Sequence, residues 1–193
     1  MKIRTVLIMP VKFNSQRLKN KNILPIKGLP MFVYTLNRVR KSKKIDKFYV
    51  STESSKIIEI CKKYKINFIK RPFRLADSST EKQEVIVHCL KELKKKKIKP
   101  NVVISFQANS PQTKQKDIEN ALKFFHKKLF PNYPIKELIS VGKDNIQNAA
   151  FRIMTYRAAF QKTLSTKIGI FFTNCIDIHT HKEYINVKKL IES

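Results

Sequence analysis

Cysteine, glycine and tryptophan are scarce in this sequence, whose 193 residues include three cysteines, three glycines and no tryptophan. Cys61, Cys89 and Cys175 lie far apart and form no Cys-x-x-Cys pair. Their spacing therefore argues against a disulfide framework and against a structural zinc site. Two of the three stand in apolar helical patterns, where a cysteine is most simply a core residue.

Long apolar runs are also lacking. No stretch of about 18 uninterrupted apolar residues occurs, so we expect no helical membrane span. Residues 1–4 lead directly into a short apolar run without a small-residue cleavage site, so we expect no signal peptide and a cytoplasmic location. With 42% hydrophobic residues, the chain can form one domain, residues 1–193, around a substantial core.

Acidic residues are few, with 14 Asp and Glu against 41 Lys and Arg, which gives a formal charge of +27. Such a charge often indicates nucleic-acid binding. Here the excess is mostly lysine, spread along the chain beside abundant Ile and Asn, a bias that an AT-rich genome produces without any partner. No aromatic-interleaved RNA motif and no zinc-finger spacing occur. Nucleic-acid binding is therefore an alternative supported by charge alone.

The apolar periodicity alternates between strand and helix patterns along the chain. Strands are predicted at residues 5–9, 47–51, 67–69, 102–106, 138–141, 150–154 and 168–172. Helices are predicted at residues 31–40, 55–64, 82–95, 116–128, 156–164 and 181–191, and an irregular connection at residues 130–134. This alternation predicts an α/β fold with three layers and a mostly parallel sheet.

The polar segment after the first predicted strand is strongly basic, since Lys12, Arg17, Lys19 and Lys21 follow the apolar run 5–9 closely. Open α/β sheets bind ligands at the carboxyl ends of their strands, and four cations suit a polyphosphate. The segment is therefore predicted to be a phosphate-binding loop. The alternative is a solvated basic turn in a basic protein.

The same segment carries a family resemblance. Its pattern resembles the signature of the acylneuraminate cytidylyltransferases, the CMP-sialic acid synthetase-like family, at Pro10-x-Lys12-x-x-Ser15-x-Arg17-x-x-x-Lys21-Asn22. The resemblance implies a loop around the triphosphate of CTP, with catalytic roles for Lys21, Lys12 and Arg17 and nucleotide contacts from Pro10, Ser15 and Asn22. Phe13 and Asn14 stand where the family usually has glycines, which removes an easy positive φ and a close backbone approach to phosphate.

Two further segments resemble the family's nucleotide site. The first is Arg71-Pro72-x-x-Leu75-Ala76, where the resemblance implies that Arg71 contacts the ribose or phosphate side of CTP and that Ser79 or Thr80 binds the nucleotide. Without the family, residues 77–80 are a helix-capping turn. The second is the strand 102–106 with Gln107 and Asn109 after it. A glutamine amide can both donate to and accept from a nucleobase edge, so Gln107 is predicted to bind the nucleotide.

Later in the chain the resemblance covers the sugar and metal sites. It implies that Asn148, Arg152 and Arg157 meet an acidic sugar, and that residues of about 130–160 form a shortened sugar-site and dimerisation region of a possible homodimer. Asp177 and His179 stand where the family has a pair of acids that bind Mg²⁺. Alternate residues of an extended segment face one side, so the two should lie together, with His179 breaking the carboxylate pair. Residues 180–183 form a predicted capping box that opens the last helix.

The alternation of strands and helices predicts a three-layer α/β fold with a mostly parallel sheet, and the resemblance implies that this fold is of the nucleotide-diphospho-sugar transferase type. The resemblance implies a nucleotidyltransferase that activates an acidic 2-keto sugar, sialic acid-like, with CTP and Mg²⁺ and releases pyrophosphate. The alternatives are a nucleotidyltransferase for another sugar, a divergent relative that binds nucleotide without turnover, and a basic nucleic-acid-binding protein. No membrane partner is predicted.

Overall fold

A computed structural model describes residues 4–15, 17–77, 79–129 and 134–193. In chain order the strands and α-helices are β1 (Thr5–Pro10), β2 (Pro25–Ile26), β3 (Leu29–Pro30), α1 (Met31–Asn37), β4 (Lys47–Thr52), α2 (Ser55–Lys63), β5 (Phe68–Lys70), α3 (Lys82–Lys95), β6 (Val102–Phe106), α4 (Gln115–Leu129), β7 (Glu137–Val141), β8 (Gln147–Thr155), β9 (Ile168–Phe172) and α5 (His181–Glu192). Short 3-10 turns lie at Lys21–Ile23, Phe73–Ala76 and Ala158–Phe160.

Seven of the strands form one sheet in the order β5-β4-β1-β6-β8-β7-β9. The pairings β4–β5, β1–β4, β1–β6 and β7–β9 are parallel, whereas β8 runs antiparallel to both β6 and β7. Strands β2 and β3 form a separate two-stranded hairpin. The prediction of a mostly parallel α/β sheet is therefore confirmed.

Helices cover both faces of this sheet because the central strands are apolar on both sides. In β1, Leu7 and Met9 belong to the core beneath α1, α2 and α4, whereas Val6 and Ile8 belong to the core beneath α3. Successive side chains of a strand point to opposite faces, so one continuous apolar run supplies both cores. The result is the predicted three-layer arrangement.

The strand register places the ligand-binding edge. Strands β1, β4 and β6 are mutually parallel and end together at one edge of the sheet. The antiparallel strand β8 begins at that edge, since its residue Phe151 pairs with Phe106 at the end of β6. Strands β7 and β9 end there too, because Val141 pairs with both Gln147 and Phe172. Residues that follow β1, β6 and β9 therefore meet at one edge.

The predicted helix at residues 156–164 is wrong. The structure has only the 3-10 turn Ala158–Phe160 there, in which Ala158 and Ala159 are buried against α3 and Phe160 is 40% exposed. One turn already buries the two alanines, and residues 161–167 then connect it to β9 without a helix. The predicted connection at 130–134 lies outside the described residues except for Pro134. Within the described ranges, no helix is long and apolar enough to cross a membrane.

Candidate functional site

A cleft of about 260 Å³ opens at the carboxyl edge of β1 and β6. Its wall combines residues that follow four different strands of the large sheet. The lining side chains are Pro10, Lys12, Ser15, Lys21, Asn22, Arg71, Leu75, Ala76, Asp77, Thr80, Lys82, Val85, Gln107, Ala108, Asn109, Asp177 and His179. The structure thus brings most of the predicted nucleotide, catalytic and metal residues to one place.

The basic loop after β1 is held by hydrogen bonds rather than by glycine. The backbone N–H of Phe13 donates to Oε1 of Glu53 at 3.2 Å, and Nδ2 of Asn22 donates to the carbonyl of Lys12 at 2.8 Å. Neither Phe13 nor Asn14 has a positive φ, whereas Asn20 further along does, at 55°. Because asparagine tolerates the left-handed region, this loop makes its tight turn at Asn20 instead of at the positions of the family's glycines.

Lys21 lies at the floor of the cleft and is 9% exposed. Its Nζ donates to the carbonyl oxygen of Ile178 at 2.7 Å, which fixes the ammonium beside the segment that follows β9. Burial lowers the pKa of Lys21 to about 8, an effect opposed by the charge of Asp177 and reinforced by Lys82 and Arg17. Lys21 is therefore a buried cation whose charge the neighbouring carboxylates compensate only in part.

Asp177 and His179 face the same side of their extended segment, as predicted, and contact each other. Nε2 of His179 is 2.9 Å from Oδ2 of Asp177, and Nδ1 of His179 is 3.2 Å from Nη1 of Arg17. An arginine can only donate, so Nδ1 accepts and Nε2 donates its hydrogen to the carboxylate. Nδ2 of Asn109 donates to the other carboxylate oxygen and to the carbonyl of Ile178.

This arrangement limits how a metal ion could bind. Among the described residues, no three His, Cys, Asp or Glu side chains stand close enough to hold a metal by themselves. Asp177 provides one carboxylate, and Mg²⁺ is commonly held by one or two carboxylates together with substrate phosphates. Asp177 thus fits a magnesium ion that a bound triphosphate also ligates. Both ring nitrogens of His179 already have protein partners, so we leave His179 out of that ligand set.

The opposite wall is fixed by a buried ion pair between Arg71 and Glu53. Nε and Nη2 of Arg71 lie 3.0 and 2.7 Å from Oε2 of Glu53, and Nη1 donates to the carbonyl of Ser51 at 3.3 Å. Because the same Glu53 also accepts from Phe13, the pair connects this wall to the basic loop. Arg71 therefore lines the cleft, but its Nε, Nη1 and Nη2 already donate hydrogen bonds to protein acceptors.

Gln107 and Thr80 complete the predicted nucleotide residues in the cleft. The backbone of Gln107 is fixed by donation to the carbonyl of Ala150 at 3.0 Å, while its side-chain amide has no hydrogen-bond partner among the described residues. Of the two alternatives left open by the sequence, Thr80 lines the cleft and donates to the carbonyl of Arg74, whereas Ser79 is exposed and outside the lining.

The three predicted sugar residues are not brought together. Asn148 lines a neighbouring open hollow and donates to Oγ1 of Thr173 at 2.6 Å. Arg152 lines a small cavity that adjoins the cleft and is paired with Glu137, with Nη2 to Oε2 at 2.7 Å. Arg157 is exposed and follows the end of β8 that pairs with the start of β6, so it lies at the opposite edge of the sheet. We therefore leave Arg157 out of any sugar site.

Lys82 lines the cleft but was not predicted from the sequence. It is the first residue of α3 and resembled one more helix lysine among 41 basic residues. The one available signal is its position, because a cation at a helix N-terminus opposes the macrodipole and has no helical reason to be there.

Two bacterial cytidylyltransferases share parts of this sequence. A pseudaminic acid cytidylyltransferase joined to a hydrolase in Helicobacter pylori is 27% identical over 132 residues, covering 68% of this chain and 25% of that protein. An N-acylneuraminate cytidylyltransferase of Escherichia coli O18:K1:H7 is 31% identical over 90 residues, covering 47% of this chain and 22% of that protein. The chain thus spans about a quarter of the length of these relatives.

The fold has a close counterpart among solved structures. A CMP:2-keto-3-deoxy-manno-octonic acid synthetase, solved in complex with CTP, superposes with a TM-score of 0.80 over 98% of both chains at 12% identity. At that identity the likeness establishes the fold alone. The family model described as "Cytidylyltransferase" matches residues 6–171, which is most of the sequence and includes the basic loop, Arg71 and Gln107. The resemblance found in the sequence is thereby confirmed, and the chain belongs to the cytidylyltransferase family.

Proposed function

We propose that this chain transfers a cytidylyl group from CTP to an acidic 2-keto sugar, forming the CMP-sugar and pyrophosphate. The observation that carries the proposal is the single cleft that combines the basic loop, a buried lysine, the carboxylates of Asp77 and Asp177, and a glutamine amide that has no hydrogen-bond partner among the described residues. A triphosphate needs the cations, a bound magnesium ion needs a carboxylate, and a nucleoside needs the amide. The family match directs this chemistry towards cytidine nucleotides.

The proposed nucleotide position follows from the lining of the cleft. Lys12, Ser15, Lys21 and Asn22 surround the phosphate end, because they belong to the loop and turn after β1. The amide of Gln107 serves the base or ribose end, with Thr80 on the wall beside α3. Arg71 supports this wall through its pair with Glu53.

In the proposed reaction the anomeric hydroxyl of the sugar attacks the α-phosphorus of CTP. A P–O bond forms, the bond from the α-phosphorus to the bridging oxygen breaks, and pyrophosphate leaves while the hydroxyl proton passes to solvent or a nearby base. Lys21, fixed by Ile178, neutralises charge that develops on the phosphates during transfer. A magnesium ion on Asp177, when bound, would polarise the phosphate oxygens.

Nucleotide binding is tested by thermal shift. CTP with Mg²⁺ should raise the melting temperature more than GTP, ATP or UTP, because Gln107 and the wall carrying Arg71 discriminate between bases. Equal shifts for all four triphosphates would indicate binding by charge alone. A parallel titration with duplex DNA at increasing salt distinguishes nucleic-acid binding, whose affinity falls steeply with salt.

Turnover is tested by pyrophosphate release from CTP with sialic, legionaminic and pseudaminic acids and 3-deoxy-octulosonate. Lys21→Ala should lower turnover by about a hundredfold or more, since it removes a cation that acts mainly in the transition state. Lys19→Ala is the matched control, because Lys19 is an exposed lysine of the same loop outside the cleft lining. Equal rates for the two variants would contradict the role of Lys21.

A relative that binds CTP without turnover is the second candidate function. The observation that favours it is the contact of His179 with Asp177, which occupies one oxygen of the carboxylate that would hold the metal. Preferential binding of CTP together with no pyrophosphate release from any acceptor, with either Mg²⁺ or Mn²⁺, would establish this candidate.

A further inference from the structure

Lys82 is a cation of the cleft without a protein counter-ion. Lys82 is an exposed residue at the first position of α3, and it lines the cleft. Among the described residues, no carboxylate lies within salt-bridge distance of its ammonium and no hydrogen-bond acceptor contacts it. Surrounding protein lowers the pKa of Lys82, and the charge of Asp177 opposes this only in part.

A second cavity begins where the cleft reaches Lys82. It has a volume of about 90 Å³ and shares Lys82 and Gln107 with the cleft, and Ser105 and Arg152 also line it. A volume of this size holds more than one water molecule, so it also accommodates a carboxylate group.

The other cation of this cavity is already neutralised. Arg152 makes two contacts with Oε2 of Glu137, at 3.0 and 2.7 Å, and its Nη1 donates to Oε1 of Gln83 at 2.9 Å. Glu137 is fully buried, which holds this pair in place. The cavity therefore carries one uncompensated positive charge, on Lys82.

Neutral donors stand around the same space. The side-chain amide of Gln107 and the hydroxyl of Ser105 have no hydrogen-bond partners among the described residues, and both line the small cavity. One cation with an amide and a hydroxyl donor matches the charge and the acceptor oxygens of a monoanionic carboxylate. A phosphate dianion would leave one negative charge uncompensated.

We propose that Lys82 binds the carboxylate of the acceptor in this small cavity, with Gln107 between the carboxylate and the nucleotide. Lys82 is then the residue that selects acidic acceptors over neutral sugars. The inference rests on the proposed function, since it concerns the second substrate of the same site. It also explains a lysine at the first position of α3, where the helix macrodipole disfavours a cation.

The test measures acceptor affinity by calorimetry on protein saturated with a CTP analogue whose α–β bridge cannot react, so that turnover is not required. The ligands are the keto acid that binds most tightly among those named above and its carboxamide, which keeps the ring and removes the charge. The variants are Lys82→Gln, Lys82→Arg and the control Lys94→Gln, an exposed lysine of the same helix.

We expect Lys82→Gln to weaken binding of the acid by about tenfold or more, because a charge-assisted hydrogen bond is lost. Binding of the carboxamide should be weak in the native protein and should change less than threefold in Lys82→Gln, so that the preference for the acid disappears. Lys82→Arg should keep most of the preference for the acid over the carboxamide, and Lys94→Gln should keep all of it. The affinity for the CTP analogue should stay within about twofold of the native value in every variant.

Two results would overturn the inference while leaving the proposed function intact: equal weakening of acid and carboxamide by Lys82→Gln, or a loss confined to CTP-analogue affinity. The second result would place Lys82 with the phosphates. A native protein that binds the CTP analogue but no acid would also overturn it. A native protein that does not prefer CTP to GTP refutes the proposed function, and the inference with it.

Discussion

The lowered pKa of Lys21 makes nucleotide affinity depend on pH. Burial is its main cause, so the buried amine loses its proton at about pH 8 rather than near its usual value of 10.5. With a pKa of about 8, roughly nine-tenths of the lysine is charged at pH 7 and roughly one-tenth at pH 9. The charged form is the one that attracts a triphosphate.

Affinity for CTP should therefore fall by up to about tenfold between pH 7 and pH 9 in the native protein, because the charged fraction falls by that factor. Lys21→Arg should show a flat profile over the same range, since a guanidinium stays protonated. Lys21→Met should bind weakly at both values. The measurement is calorimetric titration with CTP and no acceptor, in buffers of matched ionic strength.

Stability should change in the opposite sense over this range. Below about pH 8 the folded and unfolded chains both carry the proton, and the buried charge opposes folding. Between about pH 8 and 10.5 the unfolded chain keeps a proton that the folded chain has released, so the free energy of unfolding should rise with pH relative to Lys21→Met.

If the CTP affinity of Lys21→Arg fell with pH in parallel with that of the native protein, the assignment of the pH dependence to Lys21 would be refuted.

Three further predictions concern the walls and the ends of the site. Arg71→Leu leaves the carboxylate of Glu53 buried without a cation and should lower the free energy of unfolding, measured in urea, by about 3–5 kcal/mol. Adding Glu53→Leu should recover most of this loss. A loss below about 1 kcal/mol would contradict a buried pair. His179→Asp should raise Mg²⁺-supported pyrophosphate release and lower the Mg²⁺ concentration at half-maximal rate, and no change in either would place position 179 outside the metal's surroundings. Thr180→Ala removes the hydroxyl of the capping box and should lower the free energy of unfolding by about 1 kcal/mol. The control Lys182→Ala, on the same turn, should leave the free energy of unfolding unchanged. Equal effects of the two substitutions would contradict the cap.

Local patterns predicted the elements well because strand and helix periodicity depends on neighbouring residues. The bounds of β6, β9 and α3 match the prediction residue for residue, and the capping box at Thr180 is present with Glu183. The hairpin of β2 and β3 was missed because each of its strands has two residues, too few for a periodic pattern. Its turn needs positive φ at Lys27 and Gly28, and lysine gives no signal for that conformation.

The composition of the site was predictable to the extent that its residues follow strand ends. Lys12, Lys21, Gln107 and Asp177 each come directly after an apolar strand or its turn, and parallel strands bring such positions to one edge. The partners of these side chains were not predictable. Lys21 contacts the carbonyl of Ile178 across 157 residues of sequence, and no local pattern records such a contact.

The sequence by itself determined the alternation of strands and helices, the basic loop and the family, because these depend on residue type and short spacing. Tertiary structure alone decided which cations are already neutralised. Arg152 is paired with Glu137 on the neighbouring strand, and Arg71 is paired with Glu53. Among the described residues, no carboxylate lies within salt-bridge distance of the Lys82 ammonium. Charge balance in a cleft depends on distances between side chains from separate strands, and those distances are set only when the sheet assembles.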